Sequence, residues 1–258
     1  MRLMREVRFS VGPSDESPIT NSWGGWPSAS SVQPYLVLRS RVEGEPDAVT
    51  GVVCNIAAID RLVRERAIPL VSRLVHQPRV TGETLIQAVA ADLRPHPPAG
   101  TQWIDWQLLV TPYLSYSLTC GAFTMIDVSQ QFEFSASHRL HCNGLSDEEN
   151  RGTFGKCNNP NGHGHNYVVE VTITGEPDPL SGVLLPVDRI ETIVRKHVIE
   201  RLDHKHLNHD CPEFADLNPS VENIVRVVWK MLADRFAPAT LKRVRIWETP
   251  KTYAECEG

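Results

Sequence analysis

His163-Gly164-His165-Asn166-Tyr167-Val168-Val169-Glu170-Val171-Thr172-Ile173-Thr174-Gly175-Glu176-Pro177-Asp178 is the stretch from which the rest of the chain can be read. Apolar and polar residues alternate through it, so His163, His165, Tyr167, Val169, Val171 and Ile173 share one face of a strand. Gly175 to Asp178 then breaks the strand as a turn. Downstream, Ile190, Ile193 and Val194 mark a helix from about Val187 to Leu202. Ser220 is a good cap for a second helix, whose buried stripe is Ile224, Val227, Val228, Met231 and Leu232. Ala237-Pro238 stops that helix, and Leu241 to Glu248 returns as a strand. Upstream, residues 127–137 are extended. The pattern predicts an α+β fold with helices on one face of an antiparallel sheet.

The same sentence is written earlier in the chain. Val42-Glu43-Gly44-Glu45-Pro46-Asp47 matches Ile173-Thr174-Gly175-Glu176-Pro177-Asp178, and Gly51-Val52 matches Gly182-Val183. Each copy runs into a helical pattern, through Ile59, Leu62 and Val63 in the first. Leu74-Val75-His76 then parallels Leu202-Asp203-His204, Thr81-Gly82-Glu83 parallels Ser220-Val221-Glu222, and Val110-Thr111-Pro112 parallels Glu248-Thr249-Pro250. The offsets drift as loops gain or lose residues. Two related modules are expected, residues 1–117 and 122–258, joined around Cys120-Gly121.

Composition limits the function. The chain has 258 residues, 41% hydrophobic and 22% charged, with a net charge of −5. No long basic run is present, so nucleic acid and anionic membranes are poor partners. The N-terminal residues lack the apolar stretch of a secretory signal, and no segment reaches the roughly 20 apolar residues that span a bilayer. The six cysteines include no Cys-x-x-Cys pair, which suits reduced thiols and a cytoplasmic protein.

Chemistry concentrates in Gly155-Lys156-Cys157-Asn158-Asn159-Pro160-Asn161-Gly162-His163-Gly164-His165. Two histidines at i and i+2 on a strand project side by side, and neutral imidazole is a common zinc donor. The glycine between them, Gly164, leaves room for a close approach. Phe134-Ser135-Ala136-Ser137-His138 ends another expected strand and supplies a third histidine. Three protein ligands leave one position of Zn²⁺ open, the catalytic arrangement. Cys157 is the candidate reactive thiol. The loop also allows it to be a fourth ligand that closes a structural site.

At these residues the second module closely resembles the 6-pyruvoyltetrahydropterin synthase family. Phe134 to Leu140, Leu145-Ser146-Asp147-Glu148-Glu149-Asn150, Gly155 to Asn166, Leu202-Asp203-His204-Lys205 and Trp247-Glu248-Thr249 carry the likeness, which covers residues 127–258. The resemblance implies a tunnelling fold, in which α+β modules join into a homo-oligomeric barrel with sites between modules. It implies 7,8-dihydroneopterin triphosphate or a close relative as substrate. His138, His163 and His165 would hold Zn²⁺, and Cys157 would be the general base. Asp203 and His204 would be the proton-relay pair, shared with a neighbouring catalytic module. Glu248 would anchor the pterin by accepting two N–H bonds. Ser220 and Glu222 lie in the pterin-contacting segment, with Val221 where a hydroxyl residue is usual. Lys156, Arg139 and Lys205 are the cations available for a triphosphate.

The first module lacks this equipment. Pro13 stands opposite His138, Val32-Gln33-Pro34 opposite the His-Gly-His, and Asn21-Ser22-Trp23-Gly24-Gly25-Trp26-Pro27 opposite the cysteine loop. Val75 faces the place of Asp203 and Val110 that of Glu248, so this half is expected to be non-catalytic. Three other functions remain in view. A 6-carboxytetrahydropterin synthase would use similar machinery, though its cysteine loop is usually shorter. The relative that cleaves dihydroneopterin side chains toward folate has glutamate where Cys157 stands. A pterin-binding or structural protein would need none of these groups.

Overall fold

The computed structural model describes residues 1–12, 32–122 and 124–258. They form two compact units, Met1–Val128 with Gly175–Leu184, and Ser129–Thr174 with Leu185–Gly258.

The first unit contains β1 (Arg2–Ser10), β2 (Tyr35–Gly44), α1 (Ile56–Leu62), a π-helical stretch Val63–Ala67, α2 (Ile68–Leu74), α3 (Gly82–Leu93), β3 (Thr101–Thr111) and β4 (Leu114–Thr119). Its strands pair antiparallel in the order β1-β2-β3-β4. Strand β2 buries Leu36, Leu38, Ser40 and Val42 in alternation, one face for the core and one for solvent. Ile59, Val63, Ala67 and Val71 are each 0% exposed, a stripe at four-residue spacing that continues unbroken through the π-helical stretch. Burying each of the larger aliphatic side chains contributes about 1.5–3 kcal/mol relative to exposure. Trp106 is wholly buried, and Trp103 donates its indole N–H to the Leu93 carbonyl at 3.0 Å.

The second unit is built from β5 (Ile126–His138), α4 (Asp147–Phe154), β6 (His163–Gly175), α5 (Val187–Val194), a π-helical stretch Arg195–Ile199, α6 (Glu200–Leu202), β7 (Lys205–His206), α7 (Leu207–Asp210), α8 (Val221–Leu232), β8 (Thr240–Thr249) and β9 (Thr252–Glu257). The strand order is β5-β6-β8-β9, and the short β7 runs parallel to β5. Strand β6 follows the sequence pattern, with Tyr167, Val169, Val171 and Ile173 at most 1% exposed. On α8 the core face is Ile224, Val225, Val228 and Leu232, with Val227 at 8% and Met231 only half-buried. The hairpin partner β9 and the helix α4 were not foreseen.

The repeat is visible in backbone geometry as well as in letters. Asp47 accepts the amides of Val49 and Thr50 at 3.1 and 2.8 Å, and Asp178 accepts those of Leu180 and Ser181 at 3.0 and 2.8 Å. Both turns close by a glycine amide returned to the aspartate carbonyl at 2.8 Å. Both glycines, Gly51 and Gly182, have φ 71°, the left-handed region where a side chain is strained. The ladder irregularity between Arg41 and Val42 on β2 recurs between Thr172 and Ile173 on β6. Tyr113 N–H donates to Thr111 Oγ1 in the β3–β4 hairpin as Lys251 N–H does to Thr249 Oγ1 in β8–β9.

Contacts divide the chain inside β5 and group Gly175–Leu184 with the first unit. Thr81 Oγ1 donates to Gly182 O at 3.2 Å and the Leu184 amide donates to Glu83 at 3.1 Å, which is why that turn belongs there. One expectation, the helix register, is revised. The buried series Ile59, Val63, Ala67, Val71 matches Ile190, Val194, Val198, Leu202. Ser72, not Val75, is therefore opposite Asp203, and α2 runs on to Leu74 where α6 stops at Leu202. Pro13 and Asn21 to Pro27 lie outside the described residues.

Candidate active site and metal centre

His138 ends β5, and His163 and His165 begin β6, its neighbour in the sheet. Their ring centroids are 4.5, 4.8 and 5.2 Å apart, and one ring nitrogen from each lies within 4.8 Å of the others. His138 is 0% exposed, and its Nδ1 sits 2.7 Å from the Pro219 carbonyl. A carbonyl only accepts, so Nδ1 carries the proton and Nε2 presents a lone pair to the cluster. That Nε2 is 3.1 Å from His163 Nε2. Donors about 2.0–2.1 Å from a tetrahedral ion stand roughly 3.3–3.4 Å apart, so the spacing suits a small cation. The His165 Nε2 atom is buried without a hydrogen-bond partner, a cost that a metal would relieve.

Burial pushes the His138 imidazole down to about 4, and burial followed by the neighbouring His165 lowers His163 as well. Both are neutral near pH 7, the form that ligates. The unfolded chain takes up these protons below about pH 6.5 while the folded chain refuses them, so folding stability falls as pH drops from there toward 4. Thermal melts of metal-free protein at pH 7 and pH 5 check this, with the lower melting temperature expected at pH 5.

Tyr167 underlies the rings, edge-on to His165 and His138 at 5.6 and 6.3 Å and stacked on Phe134 at 4.9 Å. Burial, then the nearby Glu248 and Cys157, keeps its phenol protonated. Glu248 on β8 brings Oε1 to 3.4 Å from His138 Nε2 and 3.6 Å from His165 Nε2. Its carboxylate therefore borders the histidine cluster.

Cys157 is half-buried on a 3-10 turn, Gly155–Asn158, that follows α4. Two buried asparagines order the surrounding chain, Asn158 at this turn and Asn150 at residues 142–146 before α4, and sequence reading gave neither a role. Asn150, 0% exposed, accepts the Cys142 amide and donates to the carbonyls of Cys142, Leu145 and Ser146. Asn158 donates to Leu140 O at 2.7 Å, while Leu140 N–H donates to Cys157 O at 2.9 Å. Arg139 donates to Asn158 O at 3.1 Å, which makes it a brace for the loop; Lys156 and Lys205 stay exposed. The crowded glycine is Gly162, where a Cβ would lie 2.9 Å from both His138 O and His206 Nε2. Gly164 has ordinary room, 3.5 Å to Ala136 O, so the close approach expected there is absent.

Asp203 accepts the Ser135 amide at 2.8 Å and holds His204 Nδ1 at 2.8 Å. The Ser135 amide, then His204, keeps its carboxyl below the usual range. His204 has φ 56° and is 82% exposed on its side chain. It lines a groove of about 410 Å³ with Ser135, Ser137, Gly164, Asn166 and His165. Ser135 and Asn166 alternate away from the face of His163 and His165, so Asp203 and His204 border chiefly the other side of these strands, with His165 reaching the same groove. Ser220 caps α8 by accepting the Asn223 amide, Val221 is buried, and Glu222 is exposed. In the first unit Val32-Gln33-Pro34 carries no ligand, and Val110 stands where β8 has Glu248. Among the described residues, the three histidines are the group placed to hold a metal, and no helix is long and apolar enough to cross a membrane.

The sequence model of the 6-pyruvoyl tetrahydropterin synthase family matches residues 127–258. The human 6-pyruvoyl tetrahydrobiopterin synthase is 43% identical over 138 residues, covering 54% of this chain and 95% of its own. A more distant relative, 6-carboxy-5,6,7,8-tetrahydropterin synthase of Haemophilus influenzae, is 24% identical over 151 residues, 51% of this chain and 98% of its own. The solved 6-pyruvoyl tetrahydropterin synthase of Caenorhabditis elegans superposes with a TM-score of 0.50 at 38% identity, over 52% of this chain and 96% of that one. With a three-histidine cluster and a braced cysteine loop inside the matched half, this chain is an enzyme of the lyase class and belongs to the 6-pyruvoyl tetrahydropterin synthase family.

Proposed function

We propose that the chain converts 7,8-dihydroneopterin triphosphate to 6-pyruvoyltetrahydropterin with loss of triphosphate. The observation that carries this reading is the convergence of His138, His163 and His165 beside Glu248, with Cys157 on a turn fixed by Asn158. The side chain is oxidised as the ring is reduced, so no external redox cofactor is required. The histidine donors suit Zn²⁺, which when bound would polarise the substrate's side-chain oxygens and stabilise enolate-like charge. Cys157 removes a side-chain proton. The Asp203 carboxylate fixes the His204 tautomer, leaving Nε2 to carry a proton to or from the substrate. Lys156 and Lys205 are the exposed cations for the triphosphate.

Glu248 was expected to grip the aminopyrimidinone edge of the pterin. That edge lies at the far end of the ring from the side chain the metal would hold, whereas Glu248 sits against the ligands. We therefore place Glu248 beside the reacting carbons and assign the N–H edge to Glu222, with Ser220 next to it. The two halves read as homologous modules, the first without catalytic groups, assembled as a homo-oligomer. The 6-carboxytetrahydropterin alternative is the weaker reading, since identity to that enzyme is 24% against 43% for the human pyruvoyl enzyme. Incubating zinc-loaded protein with 7,8-dihydroneopterin triphosphate and identifying products by mass spectrometry tests the proposal. We expect 6-pyruvoyltetrahydropterin and free triphosphate, lost after chelation and restored by zinc. A product shortened by carbon loss would move the chain to the carboxy branch.

A further inference from the structure

Beyond His138 the chain enters no regular element until α4, yet its main chain is held almost group by group. Asn208 takes both backbone groups of Arg139, accepting its N–H at 2.8 Å and donating to its carbonyl at 3.0 Å. Leu140 bonds on both sides to the turn that carries the thiol. Its N–H donates to Cys157 O at 2.9 Å, and its carbonyl accepts the Asn158 side-chain amide at 2.7 Å. Asn150 closes Cys142 in the same way. These partners stand in for the ladder bonds that end with β5.

His141 reaches elsewhere. Its N–H donates to Asn218 Oδ1 at 3.2 Å, and its ring Nδ1 accepts the Asn158 side-chain amide at 3.1 Å. An amide N–H only donates, so this imidazole carries its proton on Nε2. Asn218 is tied in turn to α8. Its carbonyl accepts the Asn223 side-chain amide and the Ser220 N–H, both at 2.8 Å, and the Asn223 N–H closes the Ser220 cap. A continuous path of hydrogen bonds therefore runs from the first turn of α8, through Asn218 and His141, to Asn158 beside Cys157. Only the oxygen of the Asn218 side chain takes part in it.

We propose that Asn218 is a positioning residue, which fixes the Cys157 turn against the end of α8 assigned above to the substrate's N–H edge. Glu222 and Ser220 grip one end of the substrate, and the proton leaves from the other. The separation of the helix end from the turn thus decides whether the thiol reaches that proton. Misplacement by about 1 Å can cost on the order of 10²-fold in rate. The chemical consequence rests on the function proposed above; the mechanical link does not.

The experiment compares full-length, zinc-loaded wild type with Asn218→Ala, Asn218→Asp and Asp216→Ala, the last an exposed neighbour in the same loop. Hydrogen exchange read by mass spectrometry follows the amides of residues 139–142 and 155–159. Both stretches should exchange faster in Asn218→Ala and at the wild-type rate in Asp216→Ala. They should recover in Asn218→Asp, whose carboxylate oxygen accepts the same His141 N–H. Turnover should follow, with kcat down by about 10–10²-fold in Asn218→Ala, KM within a few-fold, and Asn218→Asp close to wild type. If Asn218→Ala does not fold, Asn218→Ser, too short to reach His141, takes its place. Unchanged exchange at 155–159 overturns the link. Faster exchange with a wild-type kcat, whatever KM does, overturns the positioning role. A wild type that does not turn over 7,8-dihydroneopterin triphosphate takes the positioning role down with the proposed function, while exchange decides the link on its own.

Discussion

Substitution of His163 by alanine is expected to take bound zinc from about one ion per chain to nearly none, and turnover with it. Three imidazoles are the proposed donor set, and removing one leaves two, too few to hold the ion against solvent. His138 is fixed by Pro219 and cannot swing to compensate, since its ring is buried and its Nδ1 proton is committed. Metal analysis of the purified variant reads the result directly. A second readout is thermal: metal that binds only the folded chain raises its melting temperature, and His163→Ala should lose that zinc-dependent rise. Two zinc ions per wild-type chain would mean a site outside the histidine cluster. Cobalt substitution examines the closed alternative, in which Cys157 completes the ligand set. The mutually close donor atoms are the three ring nitrogens and do not include the Cys157 sulfur, so no thiolate charge-transfer band is expected.

The histidine cluster was legible because strand alternation converts spacing into direction: His163 and His165 had to point the same way as Tyr167 and Val169, and they do. Helical spacing of four likewise located Ile224, Val228 and Leu232 on the core face of α8. What could not be read was anything decided by a loop. Asn150 and Asn158 look like ordinary polar residues until the backbone folds around them, for their partners are main-chain groups with no sequence signature. The register beyond the first helix slipped for a related reason. Leu74-Val75-His76 imitates Leu202-Asp203-His204 in letters, but Val71 and Leu202 hold the matching buried positions. Glu248 could be placed at a strand end but not at a distance from the histidines, because β8 meets β6 only through a register set by an irregular ladder. The repeat itself was firmest where a turn needs a left-handed glycine, at Gly51 and Gly182.

Cys157→Ala should keep zinc and fold while losing turnover by about 10²–10⁴-fold, the usual contribution of a general base. The sulfur is half-buried in a turn held by Asn158 and by the Leu140 N–H to Cys157 carbonyl bond, neither of which uses the thiol, so the turn survives its removal. Cys54→Ala and Cys120→Ala lie in the first unit and should leave the chemical step unchanged. His204→Ala is expected to fall in the same range, because Asp203 would then hold no imidazole. The two inactive variants together ask where the relay acts. Within one chain His204 lines a groove with Ser135, Asn166 and His165, and Ser135 and Asn166 alternate away from the face shared by His163 and His165. We therefore expect His204 of one copy to serve Cys157 of another. After subunit exchange, a mixture of Cys157→Ala and His204→Ala proteins should regain partial activity, since some sites then combine an intact thiol with an intact relay. Exchange is verified independently by differential tagging. If tagged mixed assemblies are present and recover nothing, either thiol and relay belong to the same chain or His204 is not the proton carrier. His204→Gln, which keeps a hydrogen bond to Asp203 without titrating, separates those two: full activity removes His204 from proton transfer, and inactivity places the relay in the same chain as its cysteine.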